Sequence, residues 1–184
     1  MIQMKTKILV AYATSYGSTQ EIAEVVAETL RNSGLAVDLY PMRDVKKLDE
    51  YSAVVLGSCL YMFHWHKDTN QFLSRHQKAL MGGLPVAFFV GGPSGAGDEK
   101  EWQEVRSQVE KDREKVPWFR PVSVEIVGGR FDPAKLRLPY SLIPALRKLP
   151  VTDLRDWAAI RAWATSLVGL FHFANQVEQP ILTK

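Results

Sequence analysis

The sequence predicts an α/β fold: a doubly wound sheet of five parallel strands in the order 2-1-3-4-5, with helices on both faces. Two observations predict it. Apolar segments at Ile8–Tyr12, Ala36–Tyr40, Ala53–Leu56, Val86–Val90 and Val122–Val127 alternate with helical patterns, the rhythm of a parallel sheet. The segments also differ in pattern. Ile8-Leu9-Val10-Ala11, Val54-Val55-Leu56 and Val86-Ala87-Phe88-Phe89-Val90 are unbroken apolar runs, as strands covered on both faces require. Val37-Asp38-Leu39 and Val122-Ser123-Val124-Glu125-Ile126 alternate, which places the second and fifth strands at the edges. In that order the switch point lies between the first and third strands, so the segments after strands one, three and four share one ligand site.

The first helix has chemical end signals. Ser18 is placed to cap it, with Glu21 reaching back three residues later, and Ile22, Val25, Val26, Thr29 and Leu30 recur at helical spacing until Ser33-Gly34 ends it. Asp68–Leu80 aligns Phe72, Leu73, His76 and Leu80 on one side. Asp98–Val116 aligns Trp102, Val105 and Val109 but is otherwise strongly charged, which predicts a helix riding on the surface. A last helix is predicted over Thr152–His172 from Leu154, Trp157, Ile160, Trp163, Ala164, Leu167 and Phe171, with Arg155 and Arg161 among them. Between it and the fifth strand, Pro133, Pro139, Pro144 and Pro150 limit any helix to short turns around Leu142–Leu149. Residues 1–184 read as one domain, with Ala174–Lys184 as a partly ordered tail.

Composition narrows the function classes. The 184 residues are 46% hydrophobic and 23% charged, enough for an ordinary core. No apolar run is long enough to span a bilayer, and Met1-Ile2-Gln3-Met4-Lys5 lacks a signal segment, so the expected compartment is the cytoplasm. A single cysteine, Cys59, excludes an internal disulfide and a multi-cysteine metal site. The net charge of +3 is concentrated: residues 135–161 hold six Lys or Arg against Asp153 and Asp156. That segment is either a solvated face or a surface for an anionic partner, such as a carboxylate-bearing substrate or the lipid headgroups of a membrane met peripherally. No nucleic-acid-binding module accompanies the charge.

The chemistry concentrates in three loops. Thr14-Ser15-Tyr16-Gly17-Ser18-Thr19 lies between a buried strand and a helix N-terminus, rich in hydroxyls and free of charged side chains. Unpaired backbone N–H groups and the helix dipole suit it to a phosphate. It lacks both the Gly-Lys-Ser/Thr of a P-loop and the Gly-x-Gly-x-x-Gly of a dinucleotide site. After the third strand, Gly57-Ser58-Cys59-Leu60-Tyr61-Met62-Phe63-His64-Trp65-His66 is crowded with aromatic groups. Tyr61 and Trp65 either stack on a planar ligand or plug the loop onto the protein, while Met62 and Phe63 are assigned to packing. His64 and His66 lack a third ligand and read as loop or substrate-edge histidines, and Cys59 reads as a small packing residue beside the ligand. After the fourth strand, Gly91-Gly92-Pro93-Ser94-Gly95-Ala96-Gly97 lets backbone amides approach a ligand closely, or is simply a flexible connection. A monophosphate joined to a flat polar ring meets both demands, and flavin mononucleotide (FMN) is such a ligand.

These residues resemble the flavodoxin family, whose phosphate loop Thr/Ser-x-Thr-Gly-x-Thr is matched at Thr14, Gly17 and Thr19, with Tyr16 as the departure. The Tyr-Gly-Ser-Thr form resembles the flavodoxin-domain subgroup that includes bacterial menaquinone-dependent protoporphyrinogen oxidase. Gly57-Ser58 with Tyr61 and Trp65, Gly92-Pro93, Gly128-Gly129, Asp153-Leu154-Arg155-Asp156-Trp157 and Ile160-Arg161-Ala162-Trp163-Ala164 carry the likeness further. The resemblance implies a flavodoxin-like fold and FMN, its phosphate on Thr14, Ser15, Tyr16, Gly17, Ser18 and Thr19. It implies that Ser58, Cys59, Leu60, Tyr61 and Trp65 flank the isoalloxazine on one side and Gly91, Gly92, Pro93, Ser94, Gly95 and Gly97 on the other. Redox chemistry then belongs to the flavin, with a reductase, quinone or small-molecule substrate as partner. Electron-carrier flavodoxins are acidic, whereas this chain has a pI near 9.0. Three functions follow: an FMN oxidoreductase or electron-transfer flavoprotein, a menaquinone-dependent protoporphyrinogen IX oxidase at the inner face of the membrane, or a non-catalytic FMN-binding interaction module.

Overall fold

The computed structural model describes residues 7–61 and 64–177. Met62, Phe63 and residues 178–184 of the expected tail lie outside the described residues. In chain order the main strands are β1 (Lys7–Tyr12), β2 (Ala36–Pro41), β3 (Tyr51–Tyr61), β4 (His64–Trp65), β5 (Val86–Gly91) and β6 (Ser123–Val127). The five long ones are parallel in the order β2-β1-β3-β5-β6, the topology that the apolar patterns predict, with the alternating strands at the edges. β4 adds a short antiparallel strand to β3, and β7 (Arg130–Phe131) pairs with β8 (Thr152–Asp153) in a separate two-stranded sheet. The helices are α1 (Ser18–Asn32), α2 (Lys67–Met81), α3 (Glu99–Glu114), α4 (Pro144–Arg147) and α5 (Trp157–Val177).

Both faces of the sheet are covered, and the strand period of two sorts side chains between them. Ile8, Val10, Val55 and Phe89 pack against Ile22, Val26 and Leu30 of α1 and Ile160, Ala164 and Leu167 of α5. Leu9, Leu56, Phe88 and Val90 pack on the opposite face with Phe72 and Leu73 of α2 and Val109 of α3. Each fully buried aliphatic or phenyl side chain contributes about 1.5–3 kcal/mol, so these layers, rather than the solvated α3, hold the fold. Gly57 is required by this packing: a β-carbon there would enter the ring of Phe89 on the neighbouring strand.

Three boundaries depart from expectation, each for a local reason. The capping box at Ser18 and Glu21 does not form. The N-cap is Gly17 at φ 93°, whose N–H donates to Thr14 Oγ1 at 2.9 Å, while the Glu21 carboxylate turns to Arg155 at 2.6 Å. The third strand runs on through Tyr61, because Ser58 and Cys59 keep pairing with Val90 and Gly91 and the chain then doubles back as β4. The last helix begins at Trp157 and not at Thr152. Leu154 N–H donates to Gly129 O at 2.9 Å, which draws Thr152–Asp153 into β8, and Asp156 Oδ1 accepts from Ala159 N–H as a cap. Between β7 and β8 only short turns and α4 form, as four prolines dictate.

Candidate functional site

Parallel registration brings the carboxyl ends of four strands side by side: Tyr12 beside Gly57, Cys59 beside Gly91, and Gly91 beside Val127. Ala13 N–H donates to Gly57 O at 2.8 Å, so the chain leaves β1 tied to β3 before it turns through the hydroxyl-rich loop. A cavity of about 180 Å³ opens there. Thr14, Ser15, Tyr16, Ser18 and Thr19 form one wall, with Thr19 buried at the base. Cys59 and Leu60 from β3, Gly91 at the end of β5, and Gly92 and Ser94 from the loop after it form the others. The three loops read from sequence therefore converge on one space.

Six of the expected residues stand differently. Gly17 serves the loop from behind, through its bond to Thr14. Ser58 is fully buried and spends its hydroxyl on Thr69 Oγ1 of α2 at 2.8 Å. The side chain of Tyr61 lies outside the described residues. Trp65 does not flank the cavity: it is 3% exposed and packs edge-on to Phe88 and Phe119, with ring centroids 5.0 and 6.3 Å away, and its pairing opposite Leu60 in the β3–β4 ladder places it there. The core, not a ligand, takes that ring. Pro93, buried, Gly95 and Gly97 also fall outside the cavity wall.

The glycine loop has an internal occupant. Glu101, in the first turn of α3, accepts from Ser94 N–H and Gly95 N–H through Oε1 at 3.1 and 2.9 Å and from Gly97 N–H through Oε2 at 2.7 Å. Three amides expected to face a ligand thus hold a carboxylate of the protein itself. Thr152 Oγ1 donates to Ser94 O from β8, fastening the same loop from the other side.

Sequence reasoning missed a fourth segment. Gly129, Arg130 and Phe131 complete the cavity, carried there by the β7–β8 pair. Gly92 N–H donates to Val127 O and Gly129 N–H to Pro93 O, both at 2.6 Å, so this segment lies against the glycine loop. Glycine is obligatory at 128, where a β-carbon would strike the carbonyl of Leu154. Gly128-Gly129 was the available signal, since two adjacent glycines mark close backbone approach. Arg130 and Phe131 also line a second, adjoining cavity of about 60 Å³ with Tyr16, Ser18, Asp132, Lys135 and Leu136.

The charges around the cavity are organised rather than spread. Arg155 is almost fully buried, bonds both Asp153 oxygens at 2.6–2.7 Å, reaches Glu21 at 2.6 Å and stacks over Trp157. Hydrogen bonding from Arg155 holds both carboxyls below the ordinary range. Burial pushes the Cys59 thiol up, against the opposing hydrogen bonds from Ser15 and Thr19, so sulfur stands as a neutral wall. His66 caps α2 through Nδ1, accepting from Asp68 N–H at 3.1 Å, and burial lowers its pKa, keeping the acceptor form. His64 faces Asp112 at 3.2 Å.

These residues fit FMN. A hydroxyl-lined cradle at a helix N-terminus meets the phosphate, and side-chain-free walls at Gly91, Gly92 and Gly129 with apolar Leu60 and Phe131 meet the organic part. The cavity is smaller than the roughly 300–1,000 Å³ that enclose a whole drug-sized ligand, so it receives part of the cofactor.

Comparison with known proteins agrees with the geometry. Residues 9–140, more than half the chain, match the flavodoxin domain family. Protoporphyrinogen IX dehydrogenase [quinone] of Escherichia coli K12 is 26% identical over 175 residues, covering 89% of this chain and 96% of the relative. A flavodoxin from the domain Archaea superposes with a TM-score of 0.56 at 15% identity, covering 90% of this chain and 99% of the other. Oxidised flavodoxin 2 from Bacillus cereus gives 0.55 at 18% identity, covering 91% and 98%. Rubredoxin oxygen:oxidoreductase from Desulfovibrio gigas gives 0.55 at 15%, covering 92% of this chain but 37% of the larger protein. With its parallel topology, hydroxyl-lined cavity and family match in agreement, this chain belongs to the flavodoxin domain family, and FMN is its cofactor.

Proposed function

We propose that this chain is an FMN-dependent dehydrogenase that oxidises protoporphyrinogen IX and delivers the electrons to a quinone at a membrane surface. The observation that carries this reading is the likeness to quinone-linked protoporphyrinogen IX dehydrogenase over 96% of that protein's length. Bound FMN supplies the redox chemistry, taking two electrons and two protons from the substrate for each quinone converted to quinol. The chain's own residues position that chemistry: the Thr14–Thr19 loop fixes the phosphate end, and the glycine loop, clamped by Glu101, flanks the opening.

The segment between β7 and β8 supports the choice of partner. Of nine exposed large hydrophobic residues among those described, Leu138, Leu142, Ile143, Leu149 and Val151 fall within it, and Leu138 and Leu142 are each 72% exposed. Arg137, Arg147 and Lys148 are exposed among them. Apolar side chains set beside cations match a bilayer surface bearing anionic headgroups, where quinones dissolve. No helix among the described residues is long and apolar enough to cross a membrane.

Anaerobic assay of the FMN-loaded protein with protoporphyrinogen IX and menaquinone tests the reading. Protoporphyrin formed in step with quinol supports it, and absence of turnover with flavin demonstrably bound overturns it. The second reading, an electron carrier without an organic substrate, draws on solved flavodoxins that this chain covers over 98–99% of their length. Fast electron exchange with a reductase but no substrate turnover favours it.

A further inference from the structure

We propose that Arg130 is a ligand of the cofactor phosphate, which gives this otherwise charge-free cradle a guanidinium. The phosphate loop itself, Thr14–Thr19, contains no cation. Arg130 approaches it from the far end of the chain, on β7, and lines the same cavity as Thr14, Ser15, Ser18 and Thr19.

Arg130 is the cation that walls the cavity, and its charge also helps hold the Glu21 and Asp153 carboxyls low. Arg155 is engaged by Asp153 and Glu21, and the Lys135 ammonium lies 3.6 Å from Glu21. Arg130 has one bond, from Nη2 to Asp132 Oδ2 at 3.1 Å, which orients the guanidinium. Its Nε is buried and has no hydrogen-bond partner among the described residues. A guanidinium carries five N–H donors, and leaving a buried one unmatched is costly. Two other buried donors share that condition, Trp65 Nε1 and Arg113 Nε, but Trp65 is packed in the aromatic core and Arg113 lies on α3 beside Glu110. Arg130 Nε is the one on a residue that walls the cofactor cavity.

The backbone holds the arrangement before any ligand arrives. Gly129 N–H is bonded to Pro93 O, and Arg130 pairs with Asp153 across the β7–β8 ladder. A fork-shaped cation held in place suits a phosphate, whose oxygens accept two parallel N–H bonds.

The test compares two flavins that differ only in the phosphate. Apo-protein is titrated with FMN and with riboflavin, following quenching of flavin fluorescence, for the wild type and Arg130→Gln. We expect Arg130→Gln to weaken FMN by about tenfold or more, as for loss of a charge-assisted hydrogen bond, and to change riboflavin by no more than about twofold. Wild-type affinity for FMN should also fall several-fold between about 0.05 and about 0.5 M salt, with riboflavin steady, because mobile ions screen the guanidinium–phosphate attraction. Equal loss of both flavins in Arg130→Gln, or unchanged FMN binding, overturns the proposal. Should the variant not fold, the wild-type salt series decides alone: FMN binding as insensitive to salt as riboflavin binding overturns it.

Discussion

Arg155 Nη1 lies 2.6 Å from Glu21 Oε2, joining residues 134 positions apart and fastening the β7–β8 pair to the first turn of α1. The guanidinium is 3% exposed, while Glu21 and Asp153 are 38% and 39% exposed. Removing the arginine therefore leaves carboxylates that water can reach. Arg155→Met should cost about 2 kcal/mol, less than the 3–5 kcal/mol of breaking a fully buried pair. Because both carboxyls titrate below their ordinary values of 4.5 and 3.8, their contribution is complete above those values and lost as pH falls through the lowered ones. Urea unfolding of wild type and variant should differ most at neutral pH and converge in acid.

Glu101 fixes the glycine loop through three amides. Glu101→Ala should speed hydrogen exchange at Ser94, Gly95 and Gly97 by about tenfold or more as the loop opens. Affinity for FMN should fall about three- to tenfold, since the loop then orders only on binding. Mass spectrometry of exchanged peptides with a flavin titration reads both. Unchanged exchange would mean that the loop holds its shape without the carboxylate.

Trp65 packs in the aromatic core and is not among the residues that wall the cavity, so its substitution should act on stability before flavin binding. Trp65→Ala should cost about 3–5 kcal/mol from the core, whereas Trp65→Phe, which keeps the edge-on contact with Phe88, should bind FMN within about twofold of wild type. Thermal unfolding and flavin titration on the two variants separate packing from stacking.

The apolar and basic residues between β7 and β8 should act together on lipid. Leu142→Glu combined with Leu149→Glu should abolish sedimentation with vesicles of mixed zwitterionic and anionic lipid. Arg147→Gln and Lys148→Gln should each cost about 1 kcal/mol, a roughly fivefold loss of binding, and only on anionic vesicles. Wild-type protein that ignores both vesicle types would remove the membrane from the proposed function.

Strand order was legible because burial on both faces demands unbroken apolar runs: Val54-Val55-Leu56 and Val86–Val90 could only be central, and Val37-Asp38-Leu39 only an edge. The first cavity-lining loop was legible because its chemistry is local, six consecutive residues between a strand and a helix, five of which wall the cavity. What stayed hidden depends on partners distant in sequence. Nothing near Trp65 reveals that Phe88 and Phe119 receive its ring, and nothing near Glu21 reveals that Arg155 outcompetes the helix cap. Arg130 escaped for the same reason, since a two-residue strand paired across an irregular segment of prolines leaves no periodic trace.

The β7–β8 pair also sets a schedule for making the holoprotein. A ribosome that has reached Val127 has specified every strand of the parallel sheet and all three loops, yet the cavity still lacks Gly129, Arg130 and Phe131, and α1 lacks its tie to Arg155. Because α5 covers one face of that sheet, the core and the cavity are both completed by the last third of the chain. Flavin capture belongs after residue 155 has left the exit tunnel.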